Sequence, residues 1–132
     1  MSEYIFDPPE IGLREFLLTE LPAFTVADVV VTAPEVLPAR FVQVESAGGQ
    51  EGIVTQHPIV SFTCWGSSRA DSARLASTVS AVLKTCRSIG GVPVYSVRTV
   101  GGPVYRQDPD TRRHRYQVTV GFSIRGRDLT PA

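Results

Sequence analysis

Asparagine is absent from this chain of 132 residues, and lysine occurs once, as Lys84, among thirteen cations. Both scarcities fit a GC-rich coding sequence, which weakens an arginine as a sign of bidentate recognition but leaves its charge intact. Histidine is also scarce. His57 and His114 stand far apart, without Cys, Asp or Glu at ligand spacing, so the residues point away from a metal site and each histidine reads as a solvated surface side chain. Cys64 and Cys86 are too few for a disulfide framework and read as small buried apolar residues in a reducing compartment. No run approaches the roughly 20 apolar residues of a membrane helix. Met1-Ser2-Glu3-Tyr4 lacks the basic and apolar regions of a secretory signal, so neither membrane insertion nor secretion is expected. Phosphate-loop, nucleophile-elbow and dinucleotide signatures are missing as well. Neither Gly48-Gly49 nor Gly101-Gly102 opens a helix that could cradle phosphate. Ser67-Ser68 needs no catalytic explanation, since helix capping accounts for serine there. The expectation is a protein with no catalytic, metal or cofactor-binding residues.

What is present suits one globular domain spanning 1–132, with 42% apolar and 20% charged residues. Pro8-Pro9-Glu10 opens a helix with an apolar stripe of Ile11, Leu13, Phe16, Leu17 and Leu21, weakened by Gly12 and stopped by Pro22. Val26 to Thr32 reads as a strand closed by Pro34 and Pro38, Arg40 to Glu45 as a second, and the glycine-rich stretch from Ser46 to Gln56 as a mobile loop. Pro58 to Trp65 alternates, with Val60, Phe62 and Cys64 on one face and Ser61 and Thr63 on the other. Ser68-Arg69-Ala70-Asp71 has the form of a capping box, and Leu75, Val79, Val82, Leu83 and Cys86 share one helical face. That helix is expected to run about twenty residues, with Lys84 and Arg87 in its last turn and Gly90-Gly91 as its stop. Small residues, including Ala70, Ala73 and Ala76, cover much of its remainder.

Val92 to Val100 and Arg115 to Arg125 form a long C-terminal hairpin, joined by a connection of about a dozen residues. In the second strand Tyr116, Val118, Val120, Phe122 and Ile124 alternate against Gln117, Thr119, Gly121 and Ser123, so one face is dry and the other wet or partner-facing. The fold class is α+β: a mostly antiparallel sheet of four to five strands with two helices packed on one face.

Charge is unevenly spread. Residues 1–60 hold two cations (Arg14 and Arg40) against nine anions, and residues 61–132 hold eleven cations against four anions. If the halves occupy different sides of the molecule, this favours head-to-tail contact between copies, the kind that builds rings or filaments; if they interleave, the asymmetry cancels. The run Arg112-Arg113-His114-Arg115 is the densest charge feature. With Arg106 it is the candidate interface, facing phosphates or an acidic partner, or else the run is a solvated loop base leading into the last strand. The near balance of charge argues against a dedicated nucleic-acid module, and Trp65, at the end of its strand, reads as a cap on the core.

Several stretches together resemble a family. Cys64-Trp65-Gly66 with the serine-rich helix start, Ala73 and Leu75-Ala76 form its most specific part. Gly102-Pro103, Asp108-Pro109-Asp110, Arg115 to Val120 and the Arg40 to Gly49 segment follow the same pattern. With these the chain resembles the tail terminator, or tail-completion, proteins of long-tailed bacteriophages, especially those of actinobacterial hosts. His57 departs from the pattern, at a position where an acidic residue is expected. The resemblance implies a small α+β virion subunit without covalent chemistry. It would form a six-membered homohexameric ring on the head-proximal end of the tail tube, end tube polymerisation and present a surface to the head–tail connector or neck protein. Its implied partners are itself, the tube protein and the connector, with DNA passing only transiently through the channel. A neck or connector subunit and a tail-tube-like subunit are the nearest alternatives. A small-molecule-binding module or enzyme would need convergent polar groups in a pocket. A nucleic-acid binder would show strongly salt-dependent DNA association.

Overall fold

In the computed structural model, which describes residues 4–21, 28–31, 35 and 38–128, the elements follow the order β1 (Tyr4–Ile5), α1 (Pro9–Glu20), β2 (Asp28–Val30), β3 (Phe41–Glu51), β4 (Thr55–Gly66), α2 (Arg69–Leu83), β5 (Ser88–Ile89), β6 (Val92–Tyr105), β7 (His114–Arg125) and β8 (Arg127–Asp128). Among the described residues the main sheet has six strands in the order β2-β3-β4-β7-β6-β5, and β1 pairs with β8 in a separate ribbon. The class is α+β as expected. The sheet exceeds the expected four to five strands because two-residue pieces such as β5 carry no periodicity of their own. It is mixed because β2 runs parallel to β3, from Asp28↔Phe41 to Val30↔Gln43.

The two helices share one face of the sheet. Val42 and Val44 of β3, Val60, Phe62 and Cys64 of β4, and Val118, Val120, Phe122 and Ile124 of β7 point into one core with Leu13 and Leu17 of α1 and Leu75, Val79 and Leu83 of α2. Strand alternation put these residues on one side, as the sequence predicts. Ile11 does not join the α1 stripe; it is 61% exposed. Gly12 has a packing reason, because a Cβ there would strike Ile89, so α1 lies directly on the β5–β6 turn. The expected stop at Pro22 and the outer parts of the strand expected over Val26 to Thr32 lie outside the described residues, and Asp28–Val30 is the described strand.

α2 is shorter than its pattern suggests, because the chain leaves the helix at Lys84, where the Thr85 amide donates to the Val82 carbonyl. Cys86 is still buried beyond the helix end. Gly90 and Gly91, read as the helix stop, instead form the β5–β6 turn, both with positive φ. At the start of α2 half the capping box forms. Ser68 Oγ accepts from the Asp71 amide at 3.1 Å, but the Asp71 carboxylate turns to the amide and hydroxyl of Ser67 and to Arg40.

The expected mobile loop from Ser46 to Gln56 is a hairpin. β3 continues to Glu51, β4 begins at Thr55, and the register shifts between Ser46 and Gly49. Gly49 has φ +121°, and a Cβ on it would collide with the His57 carbonyl oxygen. The glycines mark a bulge that re-aims the hairpin rather than a disordered loop. The C-terminal connection is likewise shorter than expected, since β6 runs through Gly101-Gly102-Pro103 to Tyr105 and leaves residues 106–113 between the strands. Proline is tolerated there because β6 is an edge strand beyond its short pairing with β5. Substituting Gly49→Ala should therefore destabilise the protein by about 1–3 kcal/mol in urea unfolding, through strained backbone and the clash with the neighbouring strand. An unchanged midpoint would show that the hairpin is not held in this geometry.

Candidate functional site

Two opposite ends of the sheet carry the surface features of interest. At one end lie residues 106–113. There Asp108, 9% exposed, organises a tight turn: its carboxylate accepts from the amide and hydroxyl of Thr111, its carbonyl accepts from the Arg112 amide, and its amide donates to the Arg113 carbonyl at 2.9 Å. Gln107 Nε2 donates to the Arg112 carbonyl, and Arg112 sits in the left-handed region at φ 60°. The turn is thus fixed by its own hydrogen bonds. The Thr111 hydroxyl holds the Asp108 carboxyl below the usual carboxylate range, burial opposing, with Arg115 adding to the depression.

The four arginines of the candidate interface separate into two pairs. Arg113 donates to the carbonyls of Pro38 and Ala39 at 2.8 and 2.7 Å, and its guanidinium lies over both Phe41 and Trp65. Arg115 donates to the Arg106 carbonyl, approaches Asp108 at 3.9 Å and covers the Trp65 ring at 5.0 Å. Arg106 and Arg112 are exposed. The register Phe41↔Trp65↔Arg115 explains this arrangement, for it places all three on the face away from the helices. Phe41 and Trp65 stack with ring centroids 5.0 Å apart, so the predicted cap is a small second cluster rather than part of the main core.

The rest of the helix-free face is largely polar. It carries Gln43 bonded to Glu45, Ser61 facing Thr119, and Arg98 laid over Gly121. Neither histidine is simply solvated. His57 Nδ1 meets Ser123 Oγ at 2.9 Å, and half-buried His114 pairs through Nδ1 with the Tyr105 hydroxyl at 2.6 Å. Tyr105 in turn lies under the Arg69 guanidinium. The sequence hides these contacts because each histidine's partner stands on a different strand, 66 positions away for His57 and nine for His114.

At the other end, the β3–β4 hairpin tip exposes Ile53 (84%) and Val54. Beside it, the N-terminus of α1, the β5–β6 turn and the end of β7 enclose a largely apolar groove of about 310 Å³. Pro9, Ile11 and Ile89 line it, as does Gln56, whose buried amide nitrogen has no hydrogen-bond partner. Arg127 at the rim is paired with Asp7 at 3.1 Å. Sequence reasoning missed this end; the Ile53-Val54 pair inside a glycine-rich stretch was the available signal.

Among the described residues no three His, Cys, Asp or Glu side chains group as a metal site, and no helix is long and apolar enough to cross a membrane. Both cysteines are buried and free, and burial pushes the thiols of Cys64 and Cys86 up, away from the reactive thiolate.

Along the sheet, β2 and β3, with Asp28, Glu45 and Glu51, lie on one side of β4, which spans the boundary between the halves and carries no Asp, Glu, Lys or Arg, and β7 and β6, with Arg98, Arg115 and Arg125, lie on the other. The helices do not follow that order, since α1 of the acidic half packs against β5. The ion pairs Arg40–Asp71, at 2.9 Å, and Arg127–Asp7 cross between the halves.

No family model matches the chain, and no curated protein matches it. Among solved structures, a chain in the virion of a native gene transfer agent particle is similar in fold, with a TM-score of 0.63 and 13% identity, covering 89% of this chain and 94% of that chain.

Two predictions follow from the arginine-rich end and the α2 cap. Trp65 is the one tryptophan, so its emission reports on the clamp directly. Arg113→Ala should shift that emission to longer wavelength and cost about 1–2 kcal/mol, from lost cation–π and hydrogen-bond contacts; an unmoved spectrum would remove the clamp. For Asp71, burial pushes the carboxyl up, but the bonds from Ser67 and Arg40 outweigh it and hold the group below its ordinary value. A depressed folded-state value means stability present above the unfolded value near 4 and lost as pH falls below it. Asp71→Asn should accordingly be less stable at neutral pH and show a shallower loss of stability on acidification than the parent; equal slopes would refute the linkage.

Proposed function

We propose that this protein is a structural subunit of a phage-like virion, which forms a ring capping the head-proximal end of a tail tube. The ring would end tube polymerisation and offer the surface to which the head connector joins. The observation that carries the reading is the fold likeness to a virion chain, which extends over nearly the whole of both chains. It agrees in kind with the tail-terminator resemblance of Cys64-Trp65-Gly66, the α2 start and the β7 segment. The separation of acidic strands from basic strands across the sheet supports contact between unlike sides of identical subunits, the heterologous geometry from which rings close.

On this reading the partners are further copies of the chain, six to a ring, together with the tube protein and a neck protein. DNA meets the ring only in passage. The mechanism is mass action: subunits that bind a tube end occupy the surface on which the next tube layer would grow. No covalent step is involved. Arg106 and Arg112 are the interface arginines best placed to act on a partner, being exposed on a rigid turn, whereas Arg113 and Arg115 act first by holding the Phe41–Trp65 cluster.

One feature favours the tube-like alternative. Beyond its pairing with β5, the outer edge of β6 is unpaired among the described residues, and it exposes Tyr95, Val100 and Val104. An open edge of this kind is a template for further strand pairing. Electron microscopy of the purified protein mixed with tube protein separates the readings. A cap gives shorter tubes with one extra layer at one end, whereas a tube subunit grows long tubes on its own. The double reversal Arg106→Glu with Arg112→Glu should weaken end binding by about tenfold or more while changing stability by no more than about 0.5 kcal/mol. Full-strength capping by that variant would remove these arginines from the interface.

A further inference from the structure

Two surfaces of the subunit combine exposed apolar side chains with unpaired charge, and the charge is of opposite sign. The first is the outer face of α1. Ile11, Glu15, Leu18 and Thr19 are exposed there at the spacing i, i+4, i+7 and i+8 that marks one side of a helix, while Leu13 and Leu17 enter the core. Among the described residues Glu10, Glu15 and Glu20 make no ion pair. The cation on this helix, Arg14, is half-buried and donates to the Val29 carbonyl at 2.6 Å. The second surface is β6, where Tyr95, Val100 and Val104 are each half or more exposed. Tyr95 and Val100 are the extra residues at two of the shifts in register against β7, between Val94 and Ser96 and between Thr99 and Gly101. Arg98, exposed and laid over Gly121, makes no ion pair among the described residues, and the chain has no Asp or Glu between Ser72 and Gln107.

An apolar strand edge left in water is a liability, and charge selects what covers this one. A second β6 would bring cation to cation, with no acid on either strand to offset the repulsion. The outer face of α1 offers aliphatic side chains and unpaired carboxylates, the complement of β6 in both respects. Backbone geometry favours a helix as well. β6 shifts register against β7 three times within fourteen residues, so its outer edge is an interrupted ladder for another strand. Covering with a helix is one of the ways in which sheets protect an edge. The twelve residues of α1 span about 18 Å, within the roughly 33 Å from Tyr95 to Tyr105. Since α1 and the β6 edge are different surfaces of one subunit, contact between them is heterologous and repeats around a ring.

We propose that the outer face of α1 in one copy docks on the β6 edge of the next, with Glu15 set against Arg98 and with Ile11 and Leu18 against Tyr95, Val100 and Val104. The inference deepens the ring reading and rests on it; an edge covered in this way accepts no further strand. The test reads self-association by sedimentation over a range of concentrations. Glu15→Arg and Arg98→Glu should each weaken it by about tenfold or more and leave the thermal midpoint in place, because neither side chain is ion-paired within the subunit. Mixing the two variants should restore assembly. Each reversed surface then meets its reversed complement and each unreversed surface its own, in a ring of alternating variants. Both reversals in one chain should restore it too. Leu18→Ser, which alters no charge, should weaken assembly by about tenfold, and mixing with Arg98→Glu should not rescue it. If wild-type rings form but the single reversals assemble like the wild type, or the mixture assembles no better than either variant, the α1–β6 contact is overturned and the ring reading stands. The β6 edge then belongs to a strand of another copy or to the tube protein. If the wild-type protein stays monomeric at every concentration and at tube ends, both fall together.

Discussion

Because β4 and β7 are paired over nearly their whole lengths, from Thr55↔Arg125 to Gly66↔His114, every side chain on either strand is committed to one of two faces. A slip of one residue would send Phe62, Val118 and Phe122 to solvent and bring Ser61 and Thr119 under the helices. The apolar face fixes the register, and the register then fixes features far from the core. It sets Arg115 beside Trp65, and Trp65 beside Phe41 on β3. It also leaves the β3–β4 hairpin tip at one end of the molecule and the 106–113 turn at the other.

The same ladder separates the strands that carry anions, β2 and β3, from those that carry cations, β6 and β7. With β3 and β2 beyond β4, and β6 and β5 beyond β7, the chain order of the strands becomes a lateral order in space. A lateral separation of charge is attractive between copies and mildly costly within one. The crossing ion pairs Arg40–Asp71 and Arg127–Asp7 offset part of that cost. They do unequal amounts of work. Arg40–Asp71 is partly buried, continues into the cap of α2 and ties the start of β3 to that helix. Arg127–Asp7 is exposed on both partners, and screening leaves little of it at physiological salt.

Much of this was legible in the residues themselves. The perfect alternation of Val118, Val120, Phe122 and Ile124 and the Ser68 cap are local signals, and the structure keeps both. Three features were not legible, for different physical reasons. Gly48-Gly49 and Gly101-Gly102-Pro103 break a strand pattern in one dimension, yet a bulge or an edge position absorbs them in three. The role of Arg113 depends on carbonyls some 75 positions away along the chain, so a run of basic residues looks uniformly solvated when only part of it is. The orphaned amide of Gln56 is a property of packing alone, since glutamine in a glycine-rich stretch carries no sign of burial.

The two ends differ in chemistry, and that difference bears on what a ring of such subunits could do. At one end a turn rigidified by Asp108 and Thr111 displays Arg106 and Arg112; at the other an aliphatic tip stands beside an apolar groove. Subunits arranged around a rotation axis all point the same way, so such a ring has two unlike rims whenever the sheet's long direction has a component along that axis. A tube subunit must match its own upper and lower surfaces to grow. A ring with unlike rims can match the tube on one side only, and a layer that cannot receive its like ends the polymer without any chemical step. Under the proposed function, termination then follows from the asymmetry of the subunit, and the free rim is left to a different partner.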